Sequence, residues 1–434
     1  MKKHIYINIF LAKIGYTPAG VISFDNEKSF SCFSYFPSYM EKNYPPLNPS
    51  TLNWRTNNQR HFIVNPLDNK QLLDRTFWEL LPNENDWANQ ILISQHPEYQ
   101  FMKNIDKLYF LGNRIVGGLH SYVKNTNDEE SIKGLDWLQK VQNESIEFHL
   151  KNIEKISYIK AINPMISYGG ARPKCMFEDD HGDLWIAKFN LPSDPYDMAI
   201  GEQIALNMAR DIGLEVSESK VVQLSNGENV FLSKRFDRVG DKRYHSLSLF
   251  ALAPNNEIKR NPLHGGNPGT YMHSLILKYT DFADKHSHDI VTKLIFDLGV
   301  NNTDNHLRNT RIILNENNKW KIAPIYDVIF NPNSQAHTYN PANLPIGDLF
   351  LNNPSIAAHL AKEYKMDKEF FQSTIKKINL VTGNLDSYCR RYNATAKDKE
   401  QLQKAISLGL NRQDYSIEPE SAPIINTPKP RHRK

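Results

Sequence analysis

The segment "NNTDNHLRN", residues 301–309, places four asparagines, an aspartate, a histidine and an arginine directly after the apolar run "IVTKLIFDLGV". That is more side-chain hydrogen-bonding capacity than a turn requires. Asp304 and Asn309 stand five positions apart, and "KWKIAPIYD" closes a later strand at Asp327. Phosphoryl transfer asks for this set: a carboxylate to orient and deprotonate the attacking hydroxyl, and an amide oxygen with a second carboxylate to hold magnesium against the phosphates. In protein kinases the catalytic-loop Asp and Asn have the same spacing, and the second Asp follows a later strand. Taken alone, the same residues also suit a polar helix end and a surface hairpin, since Asn and Asp are common turn residues.

Three upstream features occur in the order a kinase needs. "SYGGARPK" (167–174) offers glycines that let backbone amides approach anionic oxygens, with Arg172 or Lys174 adding charge. In "LWIAKFN", strand alternation points Leu184, Ile186 and Lys188 to one face, so a charge falls where an apolar side chain is expected. Glu202, in the next helix, is placed to brace that lysine. Each has an ordinary alternative: a glycine hairpin, a lysine snorkelling at a strand end, a solvated helix glutamate. The four features together, in this order, favour a kinase.

The elements that must position these groups can be traced along the chain. "HIYINIF", "AGVISFD" and "SFSCFSYF" read as strands, "LLDRTFWELL" as helical, and "DKLYFLGNRIVGGLHSYV" as a hairpin turning at Gly112 and Asn113. Polar "KNTNDEES" (124–131) reads as a linker, followed by a helix in "IKGLDWLQKVQNESIEFHLKNIEKI". Strands flanking "DDHGD" lead to a helix capped by Asp197 and stopped at Gly213, then to a hairpin with a two-residue Asn226-Gly227 turn. Helices dominate beyond 241, apart from the strand pair in "NTRIILNENNKWKIAPIYD". The layout is α+β and bilobal: a β-rich N-terminal subdomain (1–125), an N-lobe with the glycine loop and lysine strand (126–240), a mostly helical C-lobe (241–412), and a basic flexible tail (413–434).

Composition excludes several other classes. A net charge of +4 on 52 basic and 48 acidic residues does not by itself indicate nucleic acid. Cys32, Cys175 and Cys389 are too scattered for a disulfide framework or a metal site. His286 and His288, two apart on a helix, diverge in direction and read as surface histidines rather than zinc ligands. No stretch approaches the roughly 20 apolar residues of a membrane span, so a soluble cytoplasmic protein without a membrane partner is expected.

The motifs "GGARPK", "WIAKF", "SKRFDR", "NNTDNHLRN" and "APIYD", with "FSYFPSYMEKNYPPLNPSTL" and "YFLGNRIVGGL" nearer the N-terminus, resemble the HipA-like serine/threonine kinases of bacterial type II toxin–antitoxin systems. The resemblance implies a bilobal protein-kinase-like fold and an ATP- and Mg2+-dependent enzyme. It makes Asp304 the proton acceptor and Asn309 and Asp327 the magnesium ligands. It assigns ATP contacts to Gly169, Gly170, Ala171, Arg172, Pro173, Lys174 and Lys188, to a hinge of Lys234, Arg235 and Phe236, and to His306, Leu307, Arg308, Asn309, Tyr326 and Asp327. Ser167 aligns with a loop serine whose autophosphorylation silences such kinases.

The same resemblance implies a helix-turn-helix antitoxin partner, operator DNA reached through it, and a protein substrate such as the glutamyl aminoacyl-tRNA synthetase. A small-molecule kinase and a catalytically silent regulator remain the competing functions. Three departures stand out: Lys234 replaces the usual hinge Glu, "YDV" replaces the kinase D-F-G, and "LPNENDWANQIL" lacks the glycine expected after its tryptophan.

Overall fold

The computed structural model describes residues 2–25, 30–63, 74–112, 117–122, 132–149, 170–253, 268–333 and 351–410. The 124–131 linker, the 413–434 tail, Ser167 and Gly169 lie outside the described residues.

The first sheet joins β1 (Lys2–Leu11), β2 (Gly15–Asp25), β3 (Phe30–Tyr35), β4 (His61–Ile63) and β5 (Leu119–Tyr122) in the order β4-β3-β2-β1-β5, every pair antiparallel. Its alternation is that of a half-buried strand: Ile5, Ile7, Ile9 and Leu11 of β1 are buried while Tyr6 is exposed. Below it, the Tyr35 hydroxyl accepts from Leu47 N–H at 2.7 Å and donates to the Leu52 carbonyl at 2.8 Å, tying the proline-rich segment to the sheet. The hairpin expected around Gly112 does not form. Asn104–Leu111 is a helix burying Ile105, Leu108 and Leu111, and Gly112 caps it at φ +58°. Apolar residues three apart decided the structure there, and the glycine that suggested a turn is a helix stop.

The second sheet runs β6 (Ile132–Lys133), β7 (Lys174–Glu178), β8 (Leu184–Phe189), β10 (Asn229–Lys234), β9 (Ser219–Gln223), antiparallel except for β6 against β7. Its register sets Lys174 opposite Lys188. Along β8, Trp185, Ala187 and Phe189 are buried, leaving Leu184, Ile186 and Lys188 on the half-buried face as the alternation predicts. The helix Met198–Asp211 packs on this sheet, with Asp197 Oδ1 capping Ile200 N–H at 3.0 Å and Gly213 beyond its end at φ +99°. The β9–β10 turn is one residue longer than expected. Leu224 and Glu228 still pair, and Gly227 alone takes positive φ (+87°), which makes a three-residue loop with a glycine bulge rather than a two-residue turn.

The C-terminal part holds the strands Ser246–Ser248, Arg311–Leu314 and Trp320–Ile322 in one sheet, and the helices Pro268–Tyr279, Ala283–Gly299, Ile356–Tyr364, Lys368–Gly383, Leu385–Arg391 and Ala396–Leu410. No helix among the described residues is long and apolar enough to cross a membrane. Cys175 and Cys389 are buried free thiols. Of the two helix histidines only His288 is exposed; His286 is buried, with its pKa pushed down to about 4 first by that burial.

His245 joins the N-terminal subdomain to the C-terminal part, its Nε2 lying 2.7 Å from the Leu47 carbonyl at 1% exposure. An acceptor there makes Nε2 the protonated nitrogen of a neutral ring. Burial pushes the His245 pKa down from 6.5 to about 4. The unfolded chain therefore takes up a proton below pH 6.5 that the folded chain refuses. This stability is complete above pH 6.5 and is lost as pH falls toward 4, by about 3 kcal/mol. Urea unfolding at pH 7.5 and 4.5 should show a steeper loss for the parent than for His245→Gln. Equal slopes would contradict it.

Candidate active site

The end of the helix Ala283–Gly299 explains most of the asparagines. Asn301 takes the left-handed conformation (φ +55°), and the N–H groups of Asn301 and Asn302 donate to the carbonyls of Leu298 (3.0 Å) and Asp297 (2.7 Å), a Schellman stop. Beneath the loop, the buried Lys293 ammonium donates to Asp297 Oδ2 (2.6 Å) and Asn305 Oδ1 (2.9 Å), and Asn302 Nδ2 donates to Asp297 Oδ1 (2.9 Å). Asn301, Asn302 and Asn305 thus hold the loop's shape. Asn309 stands at the cleft and donates Nδ2 to the Asp304 carbonyl at 2.6 Å, which turns its amide oxygen away from that bond.

A cleft of about 340 Å³ lies between the second sheet and this loop. Lys188 reaches it from β8 and donates to both Glu202 oxygens (2.6 and 2.9 Å) and to Asp327 Oδ1 (2.7 Å). Burial alone would lower the lysine's pKa, but the Asp327 and Glu202 charges hold it well above the usual range. Burial would likewise raise Asp327, yet Lys188 and Lys174 keep it well below the usual carboxylate range. Glu202 is lifted by its own burial against the pull of Lys188. Asp327 sits at φ +59°, a conformation Asp tolerates better than most residues. Across the cleft, Asp304 is pushed above the ordinary range by desolvation, with His306 Nε2 at 3.8 Å pulling it back and the Asp327 charge adding to the rise.

Of the residues named from sequence, Gly170, Ala171, Lys174, Lys188, Lys234, Arg235, Phe236, Asp304, His306, Arg308, Asn309, Tyr326 and Asp327 line this cleft. The Phe236 and Tyr326 rings stand 5.6 Å apart, two flat surfaces of the kind an adenine ring packs on. Three side chains turn elsewhere. Arg172 forms a two-pronged pair with Asp194 (2.7 and 2.5 Å) and borders a neighbouring cavity. The Arg235 side chain is 0% exposed and is spent on Asp237. Leu307 belongs to the hydrophobic core. Pro173 lies outside the cleft lining, its carbonyl accepting from Phe189 N–H. Lys234 pairs with Asp183 (2.5 Å) and Glu218 (3.4 Å) at the cleft margin.

Sequence reasoning missed Glu79, Asn83 and Asp86, which reach the cleft from the N-terminal subdomain, and Arg311 and Asp237. Glu79 accepts from Arg311 at 3.2 Å and from the Ser248 hydroxyl. The polar "NEND" run before a helix was the available signal, but nothing in its spacing points to a cleft some 85 residues onward.

Two lobes flanking a cleft, with a lysine–glutamate pair on one side and an Asp/Asn loop on the other, define a protein of the kinase-like class. The profile of the HipA-like C-terminal domain matches residues 166–396, more than half of the chain, and the chain belongs to that family. Over 217 residues it is 25% identical to a Haemophilus influenzae protein described as a candidate kinase, a match covering 46% of this chain and 62% of that protein's length. The Shewanella oneidensis HipA toxin, solved with HipB and operator DNA, superposes with a TM-score of 0.58 at 14% identity over 93% of this chain and 96% of that one, so the folds are alike. The Helicobacter pylori proinflammatory kinase CtkA, at a TM-score of 0.37, 17% identity and coverage of 57% and 91%, is too distant to bear on the fold.

Proposed function

We propose that this chain is an ATP- and Mg2+-dependent serine/threonine protein kinase of the toxin type, held in check by a helix-turn-helix antitoxin through which it meets operator DNA. The observation that carries the reading is Lys188 joined to both Glu202 and Asp327 in the cleft that Asp304 and Asn309 line. Asp304 takes the proton of the acceptor hydroxyl as it attacks the terminal phosphate, and the upward shift of its pKa makes it a stronger base than an ordinary carboxylate. Lys188 and Lys174 bring positive charge to the phosphates. Phe236 and Tyr326, whose rings pack against each other, give the base an aromatic wall.

The ionised Asp327 and the Asn309 amide oxygen, whose Nδ2 is engaged by the Asp304 carbonyl, are hard donors that fit magnesium, which when bound would neutralise phosphate charge. A Ser167 phosphate, carrying about −1.5 to −2 charges, would switch the loop off. The acceptor proposed is an aminoacyl-tRNA synthetase such as the glutamyl enzyme. Phosphoproteomics of cells expressing the chain beside its Asp304→Asn variant tests this directly. One synthetase phosphopeptide enriched only with the parent is expected; identical phosphoproteomes would refute the kinase assignment, and enrichment of a different protein would refute the substrate.

A further inference from the structure

The segment "LPNENDWANQIL" meets the described part of the glycine loop at both ends. Asp86 Oδ1 accepts the Gly170 N–H at 2.8 Å, while Oδ2 accepts from Asn83 N–H (2.7 Å) and Asn83 Nδ2 (3.1 Å). One residue on, the Trp87 N–H donates to the Gly170 carbonyl at 3.0 Å, and its indole Nε1–H donates to the Lys174 carbonyl at 3.1 Å. Asp86 and Trp87 are buried, and the Trp87 ring meets Phe148 edge-on at 5.2 Å. Gly170 sits at φ +102°, where a side chain is strained, so the contacts hold the loop in a shape glycine permits.

We infer that Asp86 is a positioning residue for nucleotide phosphates: the N-terminal subdomain, through Asp86 and Trp87, sets the conformation of the loop at Gly170–Lys174. The inference rests on the reading of the cleft as a nucleotide site. A carboxylate on a loop N–H could instead act as a phosphate stand-in that nucleotide must displace. Two features favour the tether. The same helix start also binds the carbonyls of Gly170 and Lys174, acceptors that no phosphate would engage. The second Asp86 oxygen is held by Asn83, so the carboxylate is fixed rather than free to swing away.

The test uses the full chain and its Asp86→Ala and Asp86→Asn variants, titrated with Mg-ATP and with adenosine, and followed by amide hydrogen exchange. Loss of a charge-assisted hydrogen bond weakens ATP affinity in Asp86→Ala by about tenfold or more. Adenosine, which lacks phosphates, binds as to the parent, and exchange at Gly170 accelerates. Asp86→Asn keeps an oxygen for the Gly170 N–H but turns an NH2 toward the two Asn83 donors, so it recovers only part of the ATP affinity. Equal weakening of ATP and adenosine would mean a purely structural role and overturn the inference, as would unchanged or tighter ATP binding. Unchanged exchange at Gly170 overturns the tether alone. A parent that binds neither ligand overturns the nucleotide reading and the inference with it.

Discussion

Replacing Asp304 with Asn is expected to lower phosphoryl transfer by about 10²–10⁴-fold, the usual worth of a positioned general base. The amide has the shape of the carboxylate and can still accept from a hydroxyl, but it cannot take the proton. Fold and nucleotide binding are expected to survive, because the Asp304 side chain is 59% exposed and its contact with the His306 ring is no closer than 3.8 Å. The Asn309 bond goes to the Asp304 backbone carbonyl and is indifferent to the substitution. Radiolabelled phosphate transfer, measured beside ATP binding and thermal unfolding, separates these effects. Transfer at the parent rate would remove Asp304 from the mechanism, and a parallel loss of ATP binding would make it a nucleotide ligand rather than a base.

Asp237→Ala destabilises the chain by about 3–5 kcal/mol, the cost of stranding buried charges. Asp237 is 2% exposed and accepts from Arg235 Nε (3.0 Å) and Nη2 (2.9 Å), from Arg238 Nη1 (2.9 Å) and from the Gly117 N–H (3.0 Å). Burial alone would raise its pKa, but the two guanidiniums hold it well below the usual carboxylate range. Removing it leaves both arginines without that counter-charge and frees the Gly117 end of the N-terminal subdomain. The urea midpoint should fall sharply. Arg235→Met added to Asp237→Ala should recover part of the loss, since one stranded charge is then gone. An unmoved midpoint would show that the network contributes nothing net. The segment "KRFDR" thus divides its labour: Phe236 lines the cleft, and Arg235, Asp237 and Arg238 form a buried charge network that ties the segment to Gly117.

Local pattern was enough for the lysine strand, the Asp197-capped helix and the loop that ends in Asn309. Alternation alone aims Lys188 away from the buried face of β8, and five-residue spacing alone offers Asp304 and Asn309 together. The pattern failed where one residue type serves two structures. Gly112 stops a helix instead of turning a hairpin, and Asn226 lies within a longer loop, because glycine's positive φ fits both. It also could not distinguish the four asparagines of "NNTDNHLRN": three hold the loop's shape and one lines the cleft, a division set by the helix end and the Lys293 network beneath.

Only the tertiary structure decided where long side chains point and which distant segments meet. Arg172 and Arg235 look like phosphate and nucleotide ligands in sequence, yet each finds a carboxylate, Asp194 or Asp237, and the Arg235–Asp237 pair is buried where Asp237 meets Gly117. Asp86 lies 84 positions from Gly170, and their bond exists because the N-terminal subdomain closes against the second sheet. Residue types and short spacings therefore determined the chemistry this chain can attempt. Burial and long-range pairing, which no periodicity encodes, decided which of those residues are free to perform it.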